Sequence, residues 1–151
     1  FSYADAVLIE RFVQGTEVAV TVLDGEALPP VEIQPKEGVY DFAARYTPGA
    51  TEFHAPARLG DDVVEACRTA AVTAYDAIGA RHVSRADLIV DGNGVPWLLE
   101  LDTCPGMTST SLVPMAAKAA GIEFGELCER IVQLALRDAG GTSSTDHSAD
   151  G

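Results

Sequence analysis

One tight turn between two apolar runs constrains this sequence more than any other feature. Asp91-Gly92-Asn93-Gly94 separates Val83–Val90 from Val95–Leu101. Asn and Gly accept the positive φ angles that a short reversal needs, so the two runs are predicted to fold back as an antiparallel hairpin. Side chains alternate along a strand, so Arg85, Asp87 and Ile89 share one face, and Leu98, Glu100 and Asp102 share one face of the next strand. With Val90 opposite Val95, Arg85 falls opposite Glu100 and Asp87 opposite Leu98. Opposite residues point the same way, which converges Arg85, Asp87, Glu100 and Asp102 on one surface.

Two readings of that surface stand side by side. Carboxylates crowded together repel one another, and divalent cations remove the repulsion. Hard oxygen donors suit Mg²⁺ or Mn²⁺, and Mg²⁺ commonly binds one or two carboxylates together with substrate phosphates. Arg85 is no metal ligand, but its guanidinium suits charge that develops on a phosphoryl group or a carbonyl oxygen. The alternative is a solvent-facing sheet carrying one Arg–Glu cross-strand pair. No HExxH, paired CxxC or Walker A motif occurs, so a phosphate site here would be built another way. The loop that follows, Asp102 to Ser111, places Thr108, Ser109, Thr110 and Ser111 after Pro105-Gly106. It reads either as a set of donors for an anion or as a polar connection, with Ser111-Leu112-Val113-Pro114 as a helix start.

Around the hairpin the pattern is that of one α+β unit, an antiparallel sheet with packed helices. Val7–Val13, Glu17–Leu23 and Ala27–Ile33 read as strands, with Asp24-Gly25 as a turn. Gln34–Pro56 holds three prolines, two glycines and four aromatics without a period, the signature of a long functional loop or lid. Asp61–Ile78 reads as a helix with Val64, Cys67, Ala71, Ala74 and Ile78 on its apolar stripe and Gly79 as its cap. A further helix starts near Pro114 and ends near Gly121, and Phe124–Ala139 forms the last, with Phe124, Leu127, Ile131 and Leu134 inward. Residues 1–139 are expected to form the folded unit and 140–151, rich in Gly, Ser, Thr and Asp, a disordered tail. The first residue is Phe1 and a strand follows almost at once, which reads as a chain cut from something longer.

Composition narrows the partners. Of 151 residues, 23 are acidic and 10 basic, a formal charge of −13. Such a surface repels a nucleic-acid backbone and provides no polybasic membrane anchor. No apolar run approaches the roughly 20 residues needed to span a bilayer. The odd set Cys67, Cys104 and Cys128 fits a reducing compartment, so the expected location is the cytoplasm.

The same residues carry a family resemblance. Glu100-Leu101-Asp102-Thr103-Cys104-Pro105-Gly106-Met107-Thr108 resembles the E-x-N-T-x-P-G-M-T signature of D-alanine–D-alanine ligases, and Ser109-Thr110-Ser111-Leu112-Val113-Pro114 continues it. Arg85-Ala86-Asp87 is similar to the family's R-x-D strand, and Val39 to Tyr46 to its lid; Glu10 and Gly15-Thr16-Glu17 match the strand pair that holds adenosine. The likeness covers about residues 3–138. It implies the C-terminal part of an ATP-grasp fold, with the lid at about 36–51. The N-terminal domain and the first part of the ATP-grasp region would lie outside this chain, and the chain alone would be inactive.

The implied reaction joins two D-alanines through a D-alanyl phosphate made from ATP, for peptidoglycan and so for cell-wall growth and cell shape. By this resemblance Asp87, Glu100 and Asp102 ligate two Mg²⁺ or Mn²⁺ ions. Arg85 and the backbone at Gly106 stabilise the tetrahedral intermediate. Ser111 and Leu112 meet the carboxylate of the second D-alanine. Glu10, Arg11, Phe12 and Val13 line the adenine slot, Glu17 holds the ribose, Arg45 approaches the phosphates and Tyr46 helps close the lid. The full-length family member is commonly a homodimer. Asp102 stands where the family usually has Asn, Arg45 and Arg11 where it usually has Lys. The alternatives are a D-alanine–D-lactate or D-alanine–D-serine ligase, or an inactive truncated fragment.

Overall fold

The hairpin forms one edge of a six-stranded antiparallel sheet in the computed structural model, which describes residues 6–36 and 50–141. The strands are β1 (Gly15–Leu23), β2 (Glu26–Ala27), β3 (Val31–Pro35), β4 (Thr51–His54), β5 (Val83–Asp91) and β6 (Pro96–Asp102). Their order across the sheet is β4-β3-β1-β5-β6, with β2 also paired to β1. The described helices are α1 (Asp61–Ala77), α2 (Leu112–Ala119) and α3 (Phe124–Gly141).

Alternation decides which face each helix covers. In β5, Ser84, Ala86, Leu88 and Val90 are buried while the residues between them are half-buried. Ala86, Leu88 and Val90 pack with Val18, Val20 and Val22 of β1 against Cys67, Ala71 and Tyr75 of α1. On the opposite face, Ala19 and Leu23 of β1 and Val31 and Ile33 of β3 meet Leu112, Val113, Ala116 and Ala117 of α2 and Leu127 of α3. The sheet is therefore sandwiched between α1 and the α2–α3 pair, the α+β class expected. Fully burying a side chain such as Leu88 or Leu127 contributes about 1.5–3 kcal/mol, so β1, buried on both faces, is the strand the core is built around.

Several boundaries differ from expectation for identifiable reasons. The predicted strand Ala27–Ile33 is split into β2 and β3, because Pro29 and Pro30 have no N–H to donate to a ladder. Val7–Val13 is not a strand. Residues 6–14 pair with no strand among the described residues, and Val7, Leu8, Ile9 and Phe12 are largely exposed. Pairing starts at Gly15, where the backbones are so close that an added Cβ would lie 2.0 Å from the Val90 carbonyl oxygen. Phe124 is 48% exposed rather than inward, whereas Leu127 is fully buried and Ile131 and Leu134 pack beside it. Asp24 and Gly25 both take positive φ (52° and 82°), as a two-residue hairpin turn demands. Residues 37–49 lie outside the described residues, and with them most of the expected lid, including Arg45 and Tyr46. Its two ends are adjacent: the Lys36 N–H donates to the Ala50 carbonyl at 2.9 Å.

A buried carboxylate ties the sheet to the segment before α1. Glu32 of β3 accepts the Arg58 backbone N–H at 3.0 Å, Nε–H at 3.1 Å and Nη2–H at 2.6 Å. The Arg58 guanidinium holds the Glu32 carboxyl below its ordinary range against the opposing effect of burial. A carboxyl depressed on folding stabilises the fold fully above its unfolded value of about 4.3. That contribution is lost as pH falls through the lower folded value. Glu32→Gln should therefore lower the melting temperature at pH 7 and flatten its fall between pH 5 and pH 3. Parallel melting curves for both proteins across that range check this.

Candidate active site

The sequence placed the right residues on one face through a register that differs from the observed one. Val90 pairs with Pro96, not Val95, and a bulge between Asp87 and Leu88 moves the pairing by one more residue. Asp87 thus stands opposite Glu100, and Arg85 opposite Asp102. Two single-residue offsets restore the original parity, so Arg85, Asp87, Glu100 and Asp102 still share a face. Leu98 does not: it pairs with Leu88 and points to the α1 side. The extra residue in β6 is Leu99, 50% exposed beside Glu100.

Arg85 binds Asp87 rather than Glu100. Its Nε–H donates to Asp87 Oδ1 at 2.7 Å and its Nη2–H to Oδ2 at 2.8 Å, while Nη1 lies 3.5 Å from Asp102 Oδ2. The Arg85 and Asp87 side chains are only 11% and 16% exposed. The Asp87 carboxylate raises the Arg85 pKa above its already high value, with Asp102 and Glu100 adding to it. The pair is therefore largely shielded from solvent. Asp102 Oδ1 also accepts the Cys104 N–H at 2.9 Å, fixing the start of the following loop.

Asp87, Glu100 and Asp102 fit a hard divalent cation by chemistry, since all are oxygen donors on neighbouring positions. Among the described residues, however, no group of three or more His, Cys, Asp or Glu closes around a single point. Both Asp87 oxygens are engaged by Arg85. Each carboxylate oxygen has a second lone pair, so Asp87 could accept a cation beside Arg85.

The loop after β6 folds on itself around Ser111. The Ser111 hydroxyl accepts the Thr108 N–H at 3.0 Å and lies 2.9 Å from the Thr108 hydroxyl. A Cβ on Gly106 would come within 3.0 Å of the same Ser111 oxygen, so glycine there lets the loop backbone pass close to that hydroxyl. Ser111 stands at the N-cap of α2, yet no side chain caps that helix. Leu112 is buried in the core, so only its backbone N–H is in a position to meet a carboxylate.

Glu17 joins the same face. It pairs with Ile89, and its neighbour Ala19 pairs with Asp87. Reading strands alone, nothing distinguishes Glu17 from an ordinary strand acid; its place in the row is set by the β1–β5 register. Glu10, Arg11, Phe12 and Val13 lie in the unpaired segment leading into β1. Arg11 stacks on Trp97 of β6, 4.3 Å from the ring centroid. Sequence reasoning passed over Trp97, and a lone tryptophan near a turn provides no signal that would have found it.

Known proteins match this arrangement over most of the chain. The family described as "D-ala D-ala ligase C-terminus" matches residues 1–133. A D-alanine–D-alanine ligase of Anaeromyxobacter sp. (strain K) is 51% identical over 138 residues, covering 91% of this chain and 45% of that protein. That of Methylacidiphilum infernorum is 48% identical over 132 residues, covering 87% of this chain and 44% of its own length. This chain thus spans less than half the length of these relatives. Among solved structures, the ATP complex of the Bacillus anthracis D-alanine–D-alanine ligase superposes with a TM-score of 0.73 at 29% identity, covering 87% of this chain and 42% of that one. The VanG D-Ala:D-Ser ligase of Enterococcus faecalis superposes with a TM-score of 0.70 at 29% identity, covering 82% and 37%.

The two central acids should behave differently when removed. Asp87→Ala leaves the mostly buried Arg85 charge without its bidentate partner, and the fold should lose about 1–3 kcal/mol. Glu100 is exposed, so Glu100→Ala should change stability by no more than about 0.5 kcal/mol. Urea unfolding of the two variants checks the contrast.

Proposed function

The chain belongs to the D-alanine–D-alanine ligase family and forms the C-terminal portion of an ATP-grasp fold; from that premise we propose that it supplies the nucleotide- and metal-binding half of an enzyme that joins two D-alanines through a D-alanyl phosphate. The observation that carries this reading is the gathering of Arg85, Asp87, Glu100 and Asp102 on one sheet face beside the Gly106–Ser111 loop. The product would feed peptidoglycan synthesis.

In the first step a carboxylate oxygen of one D-alanine attacks the γ-phosphorus of ATP, and ADP leaves. In the second, the amine of another D-alanine attacks the acyl carbon. The amide bond forms, phosphate departs with the oxygen that bridged carbon and phosphorus, and the amine gives up a proton. Arg85 would follow the charge. Its Nε–H and Nη2–H donate to Asp87, and its guanidinium would stabilise charge on the transferring phosphoryl group and then on the oxyanion of the tetrahedral intermediate, aided by the backbone at Gly106. Ser111 and the Leu112 N–H would receive the carboxylate of the second D-alanine.

Asp87, Glu100 and Asp102 would hold two Mg²⁺ or Mn²⁺ ions, whose charge offsets that of the β- and γ-phosphates. The carboxylate at Asp102, where the family usually has an amide, adds one negative charge near the triphosphate; Arg85 Nη1 at 3.5 Å partly counters it. Glu17 would take the ribose hydroxyls, and Glu10 to Val13 the adenine. Arg45 and Tyr46, outside the described residues, would meet the phosphates and shield the acyl phosphate from water. The complete protein would work in the cytoplasm as a homodimer. No described helix is long and apolar enough to cross a membrane. The likeness to a D-Ala:D-Ser ligase makes D-serine the alternative second substrate.

Phosphate release by the full-length protein tests the assignment. Glu100→Ala and Asp87→Asn, which keeps an acceptor for Arg85, should each reduce D-alanine-dependent phosphate release at least about 100-fold, an effect of ~2.7 kcal/mol on the barrier. Circular dichroism should remain that of the wild type. Release at the wild-type rate from either variant would refute the two-cation assignment.

A further inference from the structure

Trp97 lies in a row that crosses the sheet on the side of the site: Glu17 pairs with Ile89, and Ile89 pairs with Trp97. Its ring is not left to rotate. The indole Nε1–H donates to Asp91 Oδ2 at 3.1 Å, and the other Asp91 oxygen accepts the N–H groups of Asn93 (2.8 Å) and Val95 (3.0 Å). One aspartate thereby closes the hairpin turn and orients the indole. Donation from Trp97 is the main reason the Asp91 carboxyl lies below its ordinary pKa range, and the positive charge of Arg11 adds to it.

What rests on this ring is Arg11, 4.3 Å from its centroid. Arg11 belongs to a segment that pairs with no strand among the described residues and leaves Leu8, Ile9 and Phe12 around 80% exposed. Such a segment needs an anchor to hold one conformation, because each ordered residue costs about 1–2 kcal/mol of backbone entropy. A guanidinium over an indole provides one that tolerates water.

We propose that Trp97, oriented by Asp91, is a positioning residue for nucleotide binding: it docks Arg11 and so sets the Glu10–Val13 segment over the sheet edge where the adenine is received. This rests on the assignment of Glu10–Val13 to the adenine slot. Trp97 itself touches neither the reacting atoms nor the phosphates. Its contribution is to the conformation of the slot before ATP arrives, so it acts on nucleotide affinity and not on the chemical step.

Steady-state kinetics and amide hydrogen exchange on the full-length protein test it together. In Trp97→Ala, KM for ATP should rise about 2- to 5-fold, the equivalent of an exposed cation–π contact, with kcat and KM for D-alanine unchanged. Exchange across residues 7–13 should accelerate while β5 and β6 keep their protection. Trp97→Phe, which retains a ring face, should recover most of the ATP affinity. Unchanged exchange and unchanged KM for ATP would overturn the docking role and leave the adenine assignment standing. Faster exchange with an unchanged KM for ATP would overturn the proposal by removing that segment from the nucleotide site. A parallel rise in KM for D-alanine, or a loss that Trp97→Phe does not recover, would reduce Trp97 to general support of the hairpin.

Discussion

The two-residue period of β5 governs both halves of this structure. Ser84, Ala86, Leu88 and Val90 go into the α1-side core, and Arg85, Asp87 and Ile89 go to the other side. The strand is fixed along its full length by β1, whose pairing runs without interruption from Gly15–Asp91 to Leu23–Val83. A slip of one residue would bury Arg85 and Asp87 against Cys67 and Ala71 and expose Leu88. The cost of placing an unsolvated ion pair there is several kcal/mol. Core packing thus sets where the charged groups stand, with no force between those groups required to do it.

The charged face shows where sequence reasoning holds and where it stops. Period-two alternation is a local property, so the shared face of Arg85, Asp87, Glu100 and Asp102 can be read directly. Register is not local. It depends on turn geometry and on bulges, and here both shift it by one residue in the same sense. Parity survived, but partners did not: Arg85 binds Asp87 two residues away on its own strand and stands opposite Asp102, not Glu100. Leu98 shows the uncompensated case, since it sits on the turn side of the bulge and faces the other way.

The same limit explains the other differences. Val7–Val13 has the composition of a strand, but a strand exists only beside a partner, and among the described residues none lies there. Leu112 follows Ser111 in the resemblance as one contact pair, yet the helix turns its side chain into the core. Trp97 matters through Arg11, 86 positions earlier in the chain (97 − 11); no spacing rule links the two. Cys67 and Ala71, by contrast, were placed correctly by helix periodicity, while Ile78 at the end of the same stripe lies just past α1 and is 60% exposed, and Tyr75 takes the buried place.

Arg85 is bound by Asp87 on the sheet face that also carries Glu100 and Asp102, and the function proposed for this face is a reaction that passes through an acyl phosphate. An oxygen label follows that intermediate directly. The full-length protein should be given ATP and D-alanine carrying ¹⁸O in its carboxylate, and the released phosphate analysed by mass spectrometry alongside the dipeptide. The account predicts one ¹⁸O in the phosphate for each dipeptide formed. Dipeptide formation with unlabelled phosphate would contradict it.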